Sequence, residues 1–171
     1  MTRATLADDI KQLGANTFQC KQCFRWSVKN NEKNSICNIC SGSSRDKGVI
    51  FVVEKDADID NVEKSGFKGL YFVLGGAVPL AAEEPEKHMR AKQLLQRVEA
   101  DGALGTLKEI ILGLSATTEG DHTRLFLQEK LIPIAEALNF KLSSLGRGLS
   151  TGSELEYADP DTIASALNSR N

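Results

Sequence analysis

The sequence predicts an α/β fold, a small parallel sheet with flanking helices, preceded by a compact four-cysteine module. Three observations carry this prediction. Residues 49–53 and 70–74 are runs of five consecutive apolar residues without polar alternation, the signature of strands covered on both faces. Each run is followed by a turn and then a helical segment, and strands alternating with helices at this spacing form parallel sheets with right-handed crossovers. All four cysteines fall between Cys20 and Cys40, upstream of both runs.

Taken in order, residues 6–13 read as a short helix closed by Gly14, because glycine readily adopts the backbone that ends helices. Residues 15–18 lead into the cysteine hairpin, and residues 41–46, SGSSRD, are a polar linker. The strand at 49–53 ends on Glu54 and passes into a short helix around 59–64 that stops at Gly66. The strand at 70–74 ends in Gly75 and Gly76. A helix over about 86–100 sets Ala91, Leu94, Leu95 and Val98 on one stripe. A third strand at 109–114 precedes TTEGDH and a long helix with Leu127, Leu131, Ile134, Ala135 and Leu138 on one face. Pro133 is expected to kink or break that helix, since proline removes a backbone donor. A fourth strand at 141–145, a turn at Gly146 and Gly148, the segment ELEYAD and a helix near 161–167 complete the chain. The expected division is a remnant N-terminal helix (1–17), a four-Cys module (18–46), an α/β domain (47–145) and a C-terminal segment (146–171).

At 171 residues and 41% hydrophobic, the chain can bury one core plus a module too small to fold without a staple. A net charge of -2 argues against a surface that is a nucleic-acid footprint throughout and leaves room for a local basic patch. The N-terminus carries Asp8 and Asp9 and no apolar h-region, and no apolar run approaches the ~20 residues of a membrane helix. A soluble, cytoplasmic protein is expected.

The cysteines form two CxxC pairs, Cys20 with Cys23 and Cys37 with Cys40, separated by thirteen residues. Two such pairs on a hairpin can present four thiolates tetrahedrally to a structural zinc ion, closed and non-catalytic. The alternatives are two disulfides, which need an oxidising compartment, or a redox CxxC, which normally sits on a βαβ unit. The same stretch carries Lys21, Arg25, Lys29, Lys33, Arg45 and Lys47 against Glu32 and Asp46. These bases either compensate the thiolates or contact phosphate, with Phe24 and Trp26 as stacking groups. Lys21, Arg25, Lys29, Arg45 and Lys47 are the candidate DNA contacts.

Glu54 ends the first strand, and Glu119 and Asp121 follow the third, so all three acids point from one sheet edge. In open α/β sheets that edge gathers ligands, and clustered carboxylates bind Mg²⁺. Helix capping by Thr117, Thr118, Glu119 and Asp121 explains the second pair equally well, but a helix start does not require Gly120. No phosphate-binding loop occurs, since GLSATTEG lacks the Gly-Lys-Ser/Thr ending. No convincing nucleophile is present either; His122 beside Asp121 is the one plausible proton-transfer group.

An acid after a hydrophobic strand and an acid-x-acid pair after a later strand resemble the Toprim fold. Together with CKQC, CNIC, YFVLGGAVPL, TTEGDHT and GSELEYAD, in this order, the chain over residues 6–170 resembles the RecR family of bacterial recombination mediators. That resemblance implies a Toprim-like sheet with a zinc module. It implies a DNA-repair role without catalysis, loading recombinase on single-stranded DNA with RecO-like and RecF-like partners. It carries the zinc ligands onto Cys20, Cys23, Cys37 and Cys40, and the Toprim acids onto Glu54, Glu119 and Asp121. It carries a subunit-joining motif onto residues 152–159, with Gly152, Glu154, Glu156 and Tyr157 as interface candidates. A homo-oligomer is implied, a dimer or the ring tetramer of the family. The chain departs from the pattern in holding only the last helix of the helix-hairpin-helix region that contributes to DNA binding. It departs also in the loop AVPLAAEEPEKH, and in Asp121 and His122 where Glu and a small residue are usual. The contrasting readings are a Mg-dependent nuclease or nucleotidyl transferase using the three acids, and a short paralogue that binds partners without DNA.

Overall fold

The computed structural model of the chain describes residues 3–29, 35–146, 158 and 160–168. It opens with α1 (Arg3–Asn16), which runs through Gly14 instead of stopping there. A glycine inside a helix costs only about 1 kcal/mol. The end is set further on by Thr17, whose hydroxyl donates to the Leu13 carbonyl at 2.7 Å and satisfies one of the free last carbonyls. Two short strands, β1 (Thr17–Gln19) and β2 (Trp26–Val28), then pair antiparallel, and α2 (Asn38–Ser41) follows.

The second unit begins with β3 (Asp46–Val53), which takes up the end of the polar linker as well as the apolar run. It continues through α3 (Asp56–Lys64) and β4 (Gly69–Val73). The helix expected over 86–100 is divided into a 3-10 turn at Pro85–Lys87 and α4 (Ala91–Ala103). The break has a cause: the Arg90 amide donates to the Leu74 carbonyl at 2.8 Å and is tied to the end of β4 rather than to a helical turn. Next come β5 (Glu109–Leu112), α5 (Thr118–Leu138), β6 (Lys141–Ser144) and α6 (Pro160–Asn168). Pro133 does not break α5, which continues as one helix to Leu138. Pro133 and Glu129, whose carbonyl loses its helical donor, are both exposed, so the lost bond falls on the solvent-facing side of the helix rather than in the core.

The four strands β3 to β6 form one parallel sheet in the order β4-β3-β5-β6. The chain leaves β3 toward β4 on one side and then crosses to β5 on the other. With right-handed crossovers α3 covers one face while α4 and α5 share the other, and α4 indeed packs on α5. Ile50, Val52, Phe72, Ile110 and Leu112 of the strands, Leu94 and Val98 of α4, and Leu127 and Leu131 of α5 are all fully buried. Each such side chain contributes about 1.5–3 kcal/mol. Because the connections reverse direction around β3, the crevice between the carboxyl ends of β3 and β5 is the topological switch point, where ligands collect in open α/β sheets.

One partly buried polar hub locks the start of the sheet to α3. Arg45 grips Glu63 with two hydrogen bonds, of 2.7 and 2.5 Å, and donates to the Phe67 carbonyl at 3.2 Å. Tyr71 Oη donates to the same carboxylate at 2.6 Å. The cation and the hydroxyl hold the Glu63 carboxyl down at about 2, with Arg45 the larger cause. Phe67 and Phe51 pack edge-to-face beside Tyr71.

Candidate metal centre and acidic sheet edge

The four cysteines, two close pairs separated by thirteen residues of chain, meet at one point. Cys20 follows β1 directly and Cys23 closes the tight turn after it, in which the Phe24 amide donates to the Cys20 carbonyl at 2.9 Å and Phe24 takes a φ of 61°. Cys37 precedes α2 and Cys40 lies within it. Their Sγ atoms all lie within 4.8 Å of one another, Cys23 and Cys37 at 3.5 Å, and all four residues are buried. A tetrahedral zinc with ~2.3 Å bonds needs sulfurs roughly 3.8 Å apart, so the donor set and its spacing fit that ion. The thiols are all free, with no disulfide among them. Hydrogen bonds from Cys23, Cys37 and Cys40 push the Cys20 thiol down, and the bonds to Cys20 push Cys23 and Cys40 up. Thiols this crowded share protons, and four thiolates can coexist there only around a cation.

The acidic edge is organised differently. Glu54, 6% exposed, is held by Ser115: Oε1 accepts the Ser115 amide at 2.8 Å and Oε2 accepts its hydroxyl at 3.0 Å. Thr117 caps α5, its hydroxyl accepting the Gly120 amide at 3.1 Å. Glu119 is exposed, and Asp121 pairs with Arg124 at 3.1 Å. The three acids thus share the switch-point edge. Among the described residues, however, the cysteines form the one group of three or more side chains close enough to share an ion. Gly120 is explained by packing, since a Cβ there would stand 2.1 Å from the Ser115 carbonyl oxygen. Ser115 was not singled out from the sequence; its only signal was a hydroxyl just past the end of an apolar strand.

The basic candidates separate into two groups. Arg45 is turned into the Glu63 hub, Lys29 donates to the Ala15 carbonyl at 2.7 Å, and Arg25 faces Asp60 at 3.7 Å and Asp56 at 4.0 Å. Lys21 and Lys47 are exposed and both line a cleft of about 520 Å³ between the cysteine module and α4. Phe24 is packed edge-on against Phe72 at 5.4 Å, so it offers no free ring, whereas Trp26 is 58% exposed. Gly152, Glu154, Glu156 and Tyr157 lie outside the described residues. Among the described residues no helix is long and apolar enough to cross a membrane.

A parallel sheet with Glu54 and the Glu119–Asp121 pair around its switch point, entered from a four-cysteine module, defines a Toprim-domain protein; the family model described as "Toprim domain" matches residues 48–143. Residues 148–171 match the model described as "RecR, C-terminal". The chain is 36% identical over 167 residues to the recombination protein RecR of Herpetosiphon aurantiacus, covering 96% of this chain and 75% of that protein. It is 38% identical over 170 residues to the RecR of Bdellovibrio bacteriovorus, covering 96% and 78%, and 35% identical to that of Rubrobacter xylanophilus, covering 96% and 77%. The chain belongs to the RecR family of recombination proteins.

Proposed function

We propose that the protein is a non-enzymatic mediator of recombinational DNA repair. The observation that carries the absence of catalysis is the seating of Glu54: both carboxylate oxygens are engaged by Ser115, which suits a fixed structural or partner-facing acid better than a metal ligand. Glu119 and Asp121 serve contact with a protein partner of the RecO or RecF kind or a weak Mg²⁺ site, on an exposed helix start. A structural zinc ion held by Cys20, Cys23, Cys37 and Cys40 staples residues 18–46, which are too few to fold on a core of their own. When bound, it supplies folding energy and no reactive position.

Direct contact with DNA phosphates falls to Lys21 and Lys47, two exposed bases that line the same cleft. A homo-oligomer is supported by α1, which leaves Leu6, Ile10 and Leu13 exposed along one face. The test is fluorescence anisotropy of a labelled single-stranded oligonucleotide with zinc-loaded protein, with and without a RecO-type partner, in Mg²⁺ and across a salt series. The same samples are then run on a denaturing gel. Intact DNA, with binding that appears or tightens in the presence of the partner, is expected. Mg²⁺-dependent shortening of the DNA that disappears in Glu54→Gln would make the protein a Toprim nuclease instead.

A further inference from the structure

β4 is an edge strand of the sheet, and an edge strand presents unpaired backbone groups to solvent. Its outer side is occupied by the turn of the first cysteine pair. The Val73 amide donates to the Cys23 carbonyl at 2.8 Å. Arg97 of α4 stands between the two segments: Nη1 donates to the Gln22 carbonyl of the turn at 2.9 Å and to the Tyr71 carbonyl of the strand at 3.0 Å. Asp101 orients the guanidinium from Nε at 3.3 Å, and the Arg97 side chain is only 11% exposed. Two carbonyl dipoles converging on one site repel unless a donor lies between them, and an arginine fork is suited to that position.

A second arginine repeats the arrangement one strand residue pair further on. Arg90 Nη1 donates to the Val73 carbonyl at 3.2 Å, and its guanidinium lies over the Phe24 ring at 5.3 Å. Gly75, with a φ of 91°, leaves the space for it; a Cβ there would fall 2.4 Å from Nη1. The chain beyond β4 leads straight to the acidic edge, since the Leu74 and Gly75 amides donate to the carbonyls of Val53 and Glu54 at 2.8 and 2.9 Å.

We propose that the turn carrying Cys20 and Cys23 closes the β4 edge of the Toprim sheet, with Arg97 and Arg90 as positioning residues, so that metal binding and edge closure form one linked equilibrium. This rests on the zinc reading above. Linkage is reciprocal: a stabilisation that the ion gives the edge is returned by the edge to the ion. The β4 edge, and through it the backbone at Glu54, is therefore set by occupancy of a metal centre that contains none of the Toprim acids.

The test combines zinc stoichiometry, zinc release to a chromogenic chelator, and hydrogen exchange of zinc-loaded and chelated wild-type protein. Chelation is expected to speed exchange at Val73 and Gly75 while Ile110 and Leu112 of the central strand β5 stay protected. Arg97→Met, which keeps the apolar stem and loses the donors, is expected to release zinc about tenfold faster, a coupling of ordinary size. Arg97→Lys should fall between, and Lys141→Ala, on β6 at the opposite edge of the sheet, should release at the wild-type rate. Wild-type protein without zinc would overturn the zinc reading itself. Zinc present, with Val73 exchange unchanged by chelation or with equal loss of protection in β4 and β5, would overturn the linkage alone. Wild-type release from Arg97→Met would do the same.

Discussion

Replacing Gly120 with alanine puts a methyl group where the Ser115 carbonyl oxygen already stands. The ideal Cβ lies 2.1 Å from that oxygen, more than an ångström inside ordinary contact. Neither side yields freely. Ser115 is fixed by its amide and hydroxyl on Glu54 at 2.8 and 3.0 Å, and the Gly120 amide is fixed by Thr117 at 3.1 Å. Overpacking of this kind costs about 1–3 kcal/mol, and disturbing hydrogen bonds to a charged group about 1.5–3 kcal/mol more. Alanine's better helix propensity returns about 0.5–1 kcal/mol. Because the two costs partly overlap, the net loss should be roughly 2–4 kcal/mol. For a chain of this length that lowers Tm by roughly 5–15 °C. Urea denaturation followed by far-UV circular dichroism, with an unchanged m-value, measures it. The double variant Gly120→Ala with Ser115→Ala should lose less than the sum of the two. A Gly120→Ala protein within about 0.5 kcal/mol of wild type would refute the claim that α5 and the Glu54–Ser115 link share one rigid seat.

The Glu63 carboxyl is depressed from 4.5 to about 2 by Arg45 first and Tyr71 second, so its contribution is present above about pH 4.5 and is lost as pH falls toward 2. Glu63→Gln should therefore be less stable than wild type at pH 7 by roughly 1–2 kcal/mol, reduced by its partial solvent exposure. Urea midpoints taken down a pH series should show the gap closing between pH 4.5 and 2; a gap independent of pH would exclude the ion pair as its source. Cys37→Ser should lose bound zinc by metal analysis and unfold the hairpin, since metal binding and folding are coupled in small modules. One zinc retained per chain would remove the four-thiolate assignment. Glu119→Gln, on an exposed helix start, should change stability by less than about 1 kcal/mol while altering partner or metal binding. A larger thermal shift would mean that capping is its main role.

Residues 49–53 and 70–74 were legible as strands because a strand buried on both faces has no polar alternation to hide it. The stripe Leu127, Leu131 and Ala135 was legible because helical periodicity survives any tertiary context. The cysteine module was legible because two pairs at short spacing leave few arrangements other than a shared site. The errors have a common physical source. Local propensity reads Gly14 as a helix stop and Pro133 as a kink or break, yet α1 runs on through Gly14 and α5 is not broken at Pro133. Propensity is worth about 1 kcal/mol for glycine, and proline's lost bond falls on an exposed face of α5 rather than in the core. Arg45 and Phe24, candidates by residue type for phosphate contact and stacking, are engaged instead by a carboxylate on α3 and the Phe72 ring on β4, partners that residue type alone does not reveal.

The sequence by itself determined the four strands of the parallel sheet, the zinc-ready thiols and the edge on which the acids lie, because each is written in local spacing and in the two periodicities of secondary structure. Only the tertiary structure decided that β3 sits between β4 and β5, since strand order depends on how crossovers pack and not on any one segment. That order brings Ser115 onto Glu54, sixty-one residues away, and leaves the β4 edge for the Cys20–Cys23 turn to cover. Pairing groups so distant depends on packing energy summed over the whole core, which no window of sequence contains.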